Sequence, residues 1–207
     1  MTENTEDPAA DIAWMRRLAA EGADAPVKGG SILMAAGLIY GAASLFEWAQ
    51  ATDRVGDISG VTGVAWLVAT AVFLVTLTLV NMKLRSGSGV MTSANRAFAA
   101  AWTAVGFGIF ALFAALIIND VRVGEDQGFT AMWLVPSIIF AFYGLGWAVT
   151  AAMLRSRPLW LLAVAALAAC PALALLTGSP NQYLAYAAAL FLLMALPGWV
   201  LMRQARA

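Results

Sequence analysis

Ala65–Ser86 reads AWLVATAVFLVTLTLVNMKLRS, an apolar run closed by Lys83 and Arg85. Such a run is too long and too apolar for a helix in a soluble core. It matches the roughly 20 residues that carry a helix across a bilayer. The chain repeats the pattern at Met132–Ser156, MWLVPSIIFAFYGLGWAVTAAMLRS. Trp66, Leu67, Val68 and Phe73 align with Trp133, Leu134, Val135 and Phe140. A polar link precedes each copy: Asp53-Arg54-Val55-Gly56-Asp57, then Asp120-Val121-Arg122-Val123-Gly124-Glu125. Both copies end in Leu-Arg-Ser.

Composition extends this reading to the whole chain. Of 207 residues, 62% are apolar and 12% charged, about half the charge of a soluble domain. Mean hydropathy is +0.79. Net charge is zero, which argues against nucleic acid as a partner. Histidine is absent, so the commonest zinc ligand, the usual haem ligand and the usual neutral-pH proton carrier are missing. Cys170 is the single cysteine. It lies in an apolar run and reads as a small hydrophobe. No cofactor is expected.

Working outward, the fold expected is an all-α bundle of six membrane spans with a cytoplasmic segment over residues 1–29. The spans fall near 31–51, 61–84, 96–118, 129–154, 159–177 and 181–202. They form three hairpins, the first two offered as a parallel 2+2 repeat about an axis along the membrane normal. Residues 1–29 lack the basic start and apolar core of a cleavable signal, so insertion is expected to rely on span 1. Within them, Asp7-Pro8 caps a short helix over 7–21 that Gly22 ends. Ile12, Met15 and Ala19 make one stripe, flanked by Trp14 and Leu18. Arg16 and Arg17 lie opposite, so the helix suits the membrane surface or the side of the bundle.

Basic residues set the threading. With the N-terminus inside, Arg16, Arg17, Lys28, Lys83, Arg85, Arg96, Arg155, Arg157, Arg203 and Arg206 are cytoplasmic. Only Arg54 and Arg122 lie outside. Both termini are therefore expected in the cytoplasm.

Chemistry-bearing side chains are few. Glu47 is the carboxylate within a span, one turn from its outer end. It is expected either to reach the headgroups or to pair with Arg54 or Arg122. Asn81 reads as the only amide inside a span. Thr70, Thr76 and Thr78 add hydroxyls on span 2, and Tyr40 and Tyr143 each precede a glycine. Gly37, Gly41 and Ser44 step along span 1 at a spacing that lets helices approach closely. The expected use is packing within the monomer. Pro136, Pro171 and Pro197 are expected to kink spans 4, 5 and 6.

One resemblance is present. Ile12–Gly22, IAWMRRLAAEG, followed by Pro26 and Gly29-Gly30, resembles the start of uncharacterised proteobacterial inner-membrane proteins. It covers about a tenth of the chain and holds no catalytic motif. It implies a bacterial inner membrane and no activity.

Nucleophile motifs, metal motifs and phosphate loops are missing, and the links are short. The expected role is non-enzymatic, accessory or structural. The bilayer is the first partner, with a membrane-protein partner or a homo-oligomer beside it. The alternative is a small permease or channel for a neutral or weakly polar solute, lined by the proline-broken spans. A dry bundle would favour the first reading and a polar cavity at mid-membrane the second.

Overall fold

The computed structural model describes residues 12–14, 29–55, 63–86, 93–123 and 131–204. Among them there is helix and no strand. Six helices are long and apolar enough to cross a membrane, and the chain is a multi-pass membrane protein. Spans 1 to 5 are Gly30–Ala51, Val64–Ser86, Ser93–Val123, Val135–Leu154 and Arg157–Ala174. Span 6 runs through Asn181–Leu190, a π-helical turn at Phe191–Ala195, and Leu196–Gln204. Of the surface helix expected over 7–21, residues 12–14 are helical with Ile12 and Trp14 exposed. Its remainder lies outside the described residues.

The prolines part ways. Pro136 does not kink span 4. It stands in the first turn, where its missing N–H would have had no partner anyway. A turn at Trp133-Leu134 precedes it, so span 4 starts at Val135 and not near 129. Pro171 is inside span 5, three residues before its last residue Ala174. Pro197 stands two residues beyond the last residue of the π turn, Ala195, and π turns are a usual cause of bending. Span 3 outlasts its expected end and keeps Asn119, Asp120 and Arg122 helical. Its 31 residues reach about 46 Å, beyond a hydrocarbon core of about 30 Å.

Span 1 lies antiparallel against span 6. A Cβ added to Gly198 would run into Met34 N and Gly30 O, and one on Gly37 into the Ala195 backbone. One on Gly41 would strike the Phe191 ring. Ser44 completes the line: its hydroxyl donates to the Tyr183 carbonyl at 2.7 Å. The small-residue face therefore packs inside the monomer, as its spacing suggested. Ser44→Ala should lower stability by only about 0.6 kcal/mol, the mean for such bonds between membrane helices. Equilibrium unfolding in mixed micelles would read it, and a loss above about 2 kcal/mol would mean that Ser44 does more than this one bond.

Spans 4 and 5 form the tightest hairpin. Arg155, at φ +48°, closes it in the left-handed region, and the Ser156 N–H returns to the Ala151 carbonyl at 3.1 Å. Ala163 and Ala166 of span 5 are sealed, and Gly144 of span 4 meets Leu167. Spans 4 and 6 run parallel, bridged by large side chains. Trp133 packs at a tilt on Tyr183, Phe140 meets Tyr186 edge-on, and Trp147 reaches Leu193.

Span 2 leans chiefly on span 1, and span 3 on span 4. Their apolar windows are each 6% buried, against 39% for span 1 and 50% for span 4. The spans aligned by the apparent repeat, 1 with 3 and 2 with 4, thus hold opposite positions. Likeness in sequence is not matched here by likeness in packing.

Candidate functional site

The polar side chains gather in three layers along span 6. The outer layer surrounds Gln182, which is 1% exposed. Its amide donates to the carbonyls of Trp133 at 2.8 Å and Leu173 at 3.2 Å. Leu173 lies one residue before the end of span 5, where its carbonyl also accepts the Leu176 N–H at 3.1 Å, and Trp133 lies two residues before the start of span 4. The single amide thus ties the start of span 4 and the end of span 5 to span 6. Gln182, not Asn81, is the structural amide. Asn81 is exposed on span 2.

Glu47 also belongs to this layer, and both expectations for it are corrected. At 4% exposure it does not reach out to the headgroups. Nor does it pair with Arg54, whose guanidinium lies 4.6 Å over the Trp48 ring. Arg122 is exposed near the far end of span 3. Glu47 instead accepts the Gly63 N–H at 3.5 Å. Gly63 has φ +86°, a conformation glycine adopts without steric penalty. The carboxylate thus latches the chain entering span 2 onto span 1. Glu47→Gln keeps an acceptor and removes no ion pair. Its effect on thermal stability in detergent should be under about 1 kcal/mol and unaltered by salt, since salt screens charge pairs and not this bond. A loss that shrinks at high salt would restore the pairing with arginine.

The middle layer holds three tyrosines from three spans. Tyr40 donates to Thr70 Oγ1 at 3.4 Å and packs on Phe73. Tyr143 and Tyr186 each meet Phe140 edge-on, at ring separations of 5.6 and 5.7 Å. Trp66 of span 2 packs on Tyr186 at 6.3 Å. Thr76 and Thr78 bond back to their own helix at 2.8 Å and face outward.

The inner layer is an indole pair. Trp147, fully buried, meets Trp102 edge-on at 5.1 Å. The Trp102 N–H donates to Thr150 Oγ1 at 3.2 Å, and Thr150 donates to the Gly146 carbonyl at 2.7 Å. Trp147 Nε1 donates to the Leu193 carbonyl at 3.0 Å. In an α-helix that carbonyl would take the N–H of residue 197, which is proline. Pro197 thus leaves an acceptor that the indole of span 4 uses.

Sequence reasoning missed Gln182, Thr150, Trp147 and Tyr186. The signal for Trp147 was available: a proline in a span asks which donor serves the carbonyl four residues back. Among the described residues no group of three carboxylate or cysteine side chains stands where it could hold a metal. A shallow depression on span 2, lined by Leu74, Val75, Thr78 and Leu79, is apart from all three layers. No family model, no curated protein and no solved structure matches the chain.

Proposed function

We propose that the chain is a non-enzymatic accessory protein of a bacterial inner membrane, with both ends in the cytoplasm, that joins another membrane protein through span 3. The outward face of span 3 carries this reading. Ala100, Ala104, Ala111 and Ala115 lie along it, all exposed, with Phe107, 69% exposed, between the two pairs. In lipid the hydrophobic effect gives helices no reason to associate. Close approach over small residues does. Span 3 is 6% buried in its apolar window, so this stripe has no use within the monomer. The buried polar side chains support the same reading. Ser44 and Gln182 bond to backbone carbonyls outside their own spans, which holds helices together, and Thr150 bonds to a carbonyl of its own span, so none of the three is a free reactive group. The basic bias of the links places the ends.

A photoreactive side chain placed at Ala104 or Ala111 tests the partner. In native membranes each should cross-link to one protein of discrete mass. The same probe at Leu161, 73% exposed on span 5, should label lipid alone. Lipid labelling at all three sites would discard the accessory reading, and a product of twice the chain's own mass would make the partner a second copy. A periplasm-dependent reporter fused after Ala207 should stay silent; activity there would reverse the threading.

A further inference from the structure

The turn that closes spans 4 and 5 carries two exposed arginines, Arg155 and Arg157. Arg155 caps the end of span 4 at φ +48°, in the left-handed conformation that helix ends commonly give to glycine. A side chain there meets steric resistance that glycine would not. Such an outlier points to a use for the side chain it carries. The described carboxylates do not answer it. Glu47, Asp53 and Asp120 stand at the far ends of spans 1 and 3, on the other side of the bundle. Arg203, on the same side as the turn, is taken up by the Trp199 ring at 3.9 Å.

From the turn two apolar stripes run side by side into the membrane. On span 4, Leu145, Val149 and Met153 follow at four-residue steps, all exposed. On span 5, Trp160, Val164 and Leu167 share one face by helical spacing, and they too are exposed. The stripes adjoin where Leu167 meets Gly144, the neighbour of Leu145. Together they make an open seam on the outside of the bundle, facing hydrocarbon. From Leu145 to Arg155 the helix rises about 15 Å, half of a hydrocarbon core of about 30 Å. The seam thus has the length of one leaflet, and the two guanidinium groups stand where that leaflet has its headgroups.

We propose that this seam binds one anionic phospholipid of the bilayer, its phosphate held by Arg155 and Arg157 and an acyl chain laid along Leu145, Val149 and Val164. A guanidinium offers paired N–H donors that match phosphate oxygens. Two such cations with no described carboxylate beside them favour a headgroup of net negative charge over a zwitterion. Trp160, one turn from Arg157, brings an indole of the kind that settles at headgroup level. Binding here does not rest on the accessory reading, since the alanine face of span 3 takes no part in it.

Native mass spectrometry of the full chain, released from nanodiscs of equal phosphatidylglycerol and phosphatidylcholine, tests it. Wild type should keep one phosphatidylglycerol in preference to phosphatidylcholine. Arg155→Gly with Arg157→Gln removes both charges, and glycine suits the backbone at position 155. Each basic residue beside an anionic headgroup is worth about fivefold, so the pair should lower retention at least about tenfold. Lys83→Gln with Arg203→Gln removes as much charge from the same side and should change retention less than about twofold. Equal retention of the two lipids would overturn the proposal, as would equal retention of phosphatidylglycerol by wild type and the Arg155/Arg157 variant. A loss as large in the Lys83/Arg203 variant would make overall charge the cause and overturn it too. Should the Arg155/Arg157 variant fail to insert, phosphatidylglycerol with a diazirine in its acyl chain, photolysed on wild type, decides. Labels confined to residues 145–167 support the seam, and labels spread over spans 2 and 3 as well refute it.

Discussion

Gly198→Leu should abolish the monodisperse folded protein in mild detergent. Gly198 lies where span 6 crosses span 1, and a single added carbon would already collide with Met34 N and Gly30 O. Backbone atoms cannot swing aside as a side-chain tip can, so spans 1 and 6 would have to separate. Overpacking an ordinary core costs about 1–3 kcal/mol. Here the crossing forced open is the central one of the bundle, and the Ser44–Tyr183 bond would break with it. Gly106→Leu provides the control. Nothing lies within 4 Å of a carbon built there, on the outer side of span 3, so that variant should elute as wild type does. Gly198→Ala should fall between the two. Size-exclusion profiles and melting temperatures would rank the three. A Gly198→Leu protein melting within about 2 °C of wild type would show that the crossing is not where the bundle is held.

Gly37, Gly41 and Ser44 were legible because close approach needs small side chains at helical spacing, and that spacing is visible in one dimension. The six spans were legible from run length alone. Which spans form the centre was not, since lipid and protein interior are equally apolar and hydrophobicity does not say which a residue faces. One trace of it is present in the sequence. Spans 2 and 3, the least buried, have the highest hydropathies, 2.1 and 2.2, against 1.5 for span 1 and 1.7 for span 4, although span 6, 44% buried, reaches 2.0. Spans packed on protein can carry Glu47, Thr150 and several glycines; spans that face lipid cannot do so cheaply.

The carboxylate and Pro136 misled for a common reason. Each was judged by its own kind and not by its partner. Glu47 looked like half an ion pair, yet among the described residues its donor is the backbone of Gly63, a residue with no side chain to notice. Pro136 looked like a break inside a run, but the turn at Trp133-Leu134 places the helix start beside it. The tyrosine layer was half visible: Tyr40 and Tyr143 stood out, and Tyr186 did not. Only the parallel packing of spans 4 and 6 brings Tyr186 against Phe140.

Trp147→Ala should be the most damaging single truncation, since burying a whole tryptophan against Trp102 and then removing it costs about 3–5 kcal/mol. The more informative change is Trp147→Phe, which keeps an aromatic ring and deletes the N–H. The Leu193 carbonyl is then left inside the bundle without its donor. A buried unsatisfied acceptor costs about 1–3 kcal/mol. If Pro197 is the reason that carbonyl was free, Pro197→Ala restores a backbone N–H at the position an α-helix would use. On that background Trp147→Phe should cost less, by about 1 kcal/mol, because Leu193 has recovered a partner within its own helix. Unfolding free energies of the four proteins in mixed micelles close the cycle. Costs that add to within about 0.5 kcal/mol would mean that the two residues act independently. In that case the indole serves span 6 by packing alone, and the link from Pro197 through Leu193 to Trp147 is discarded.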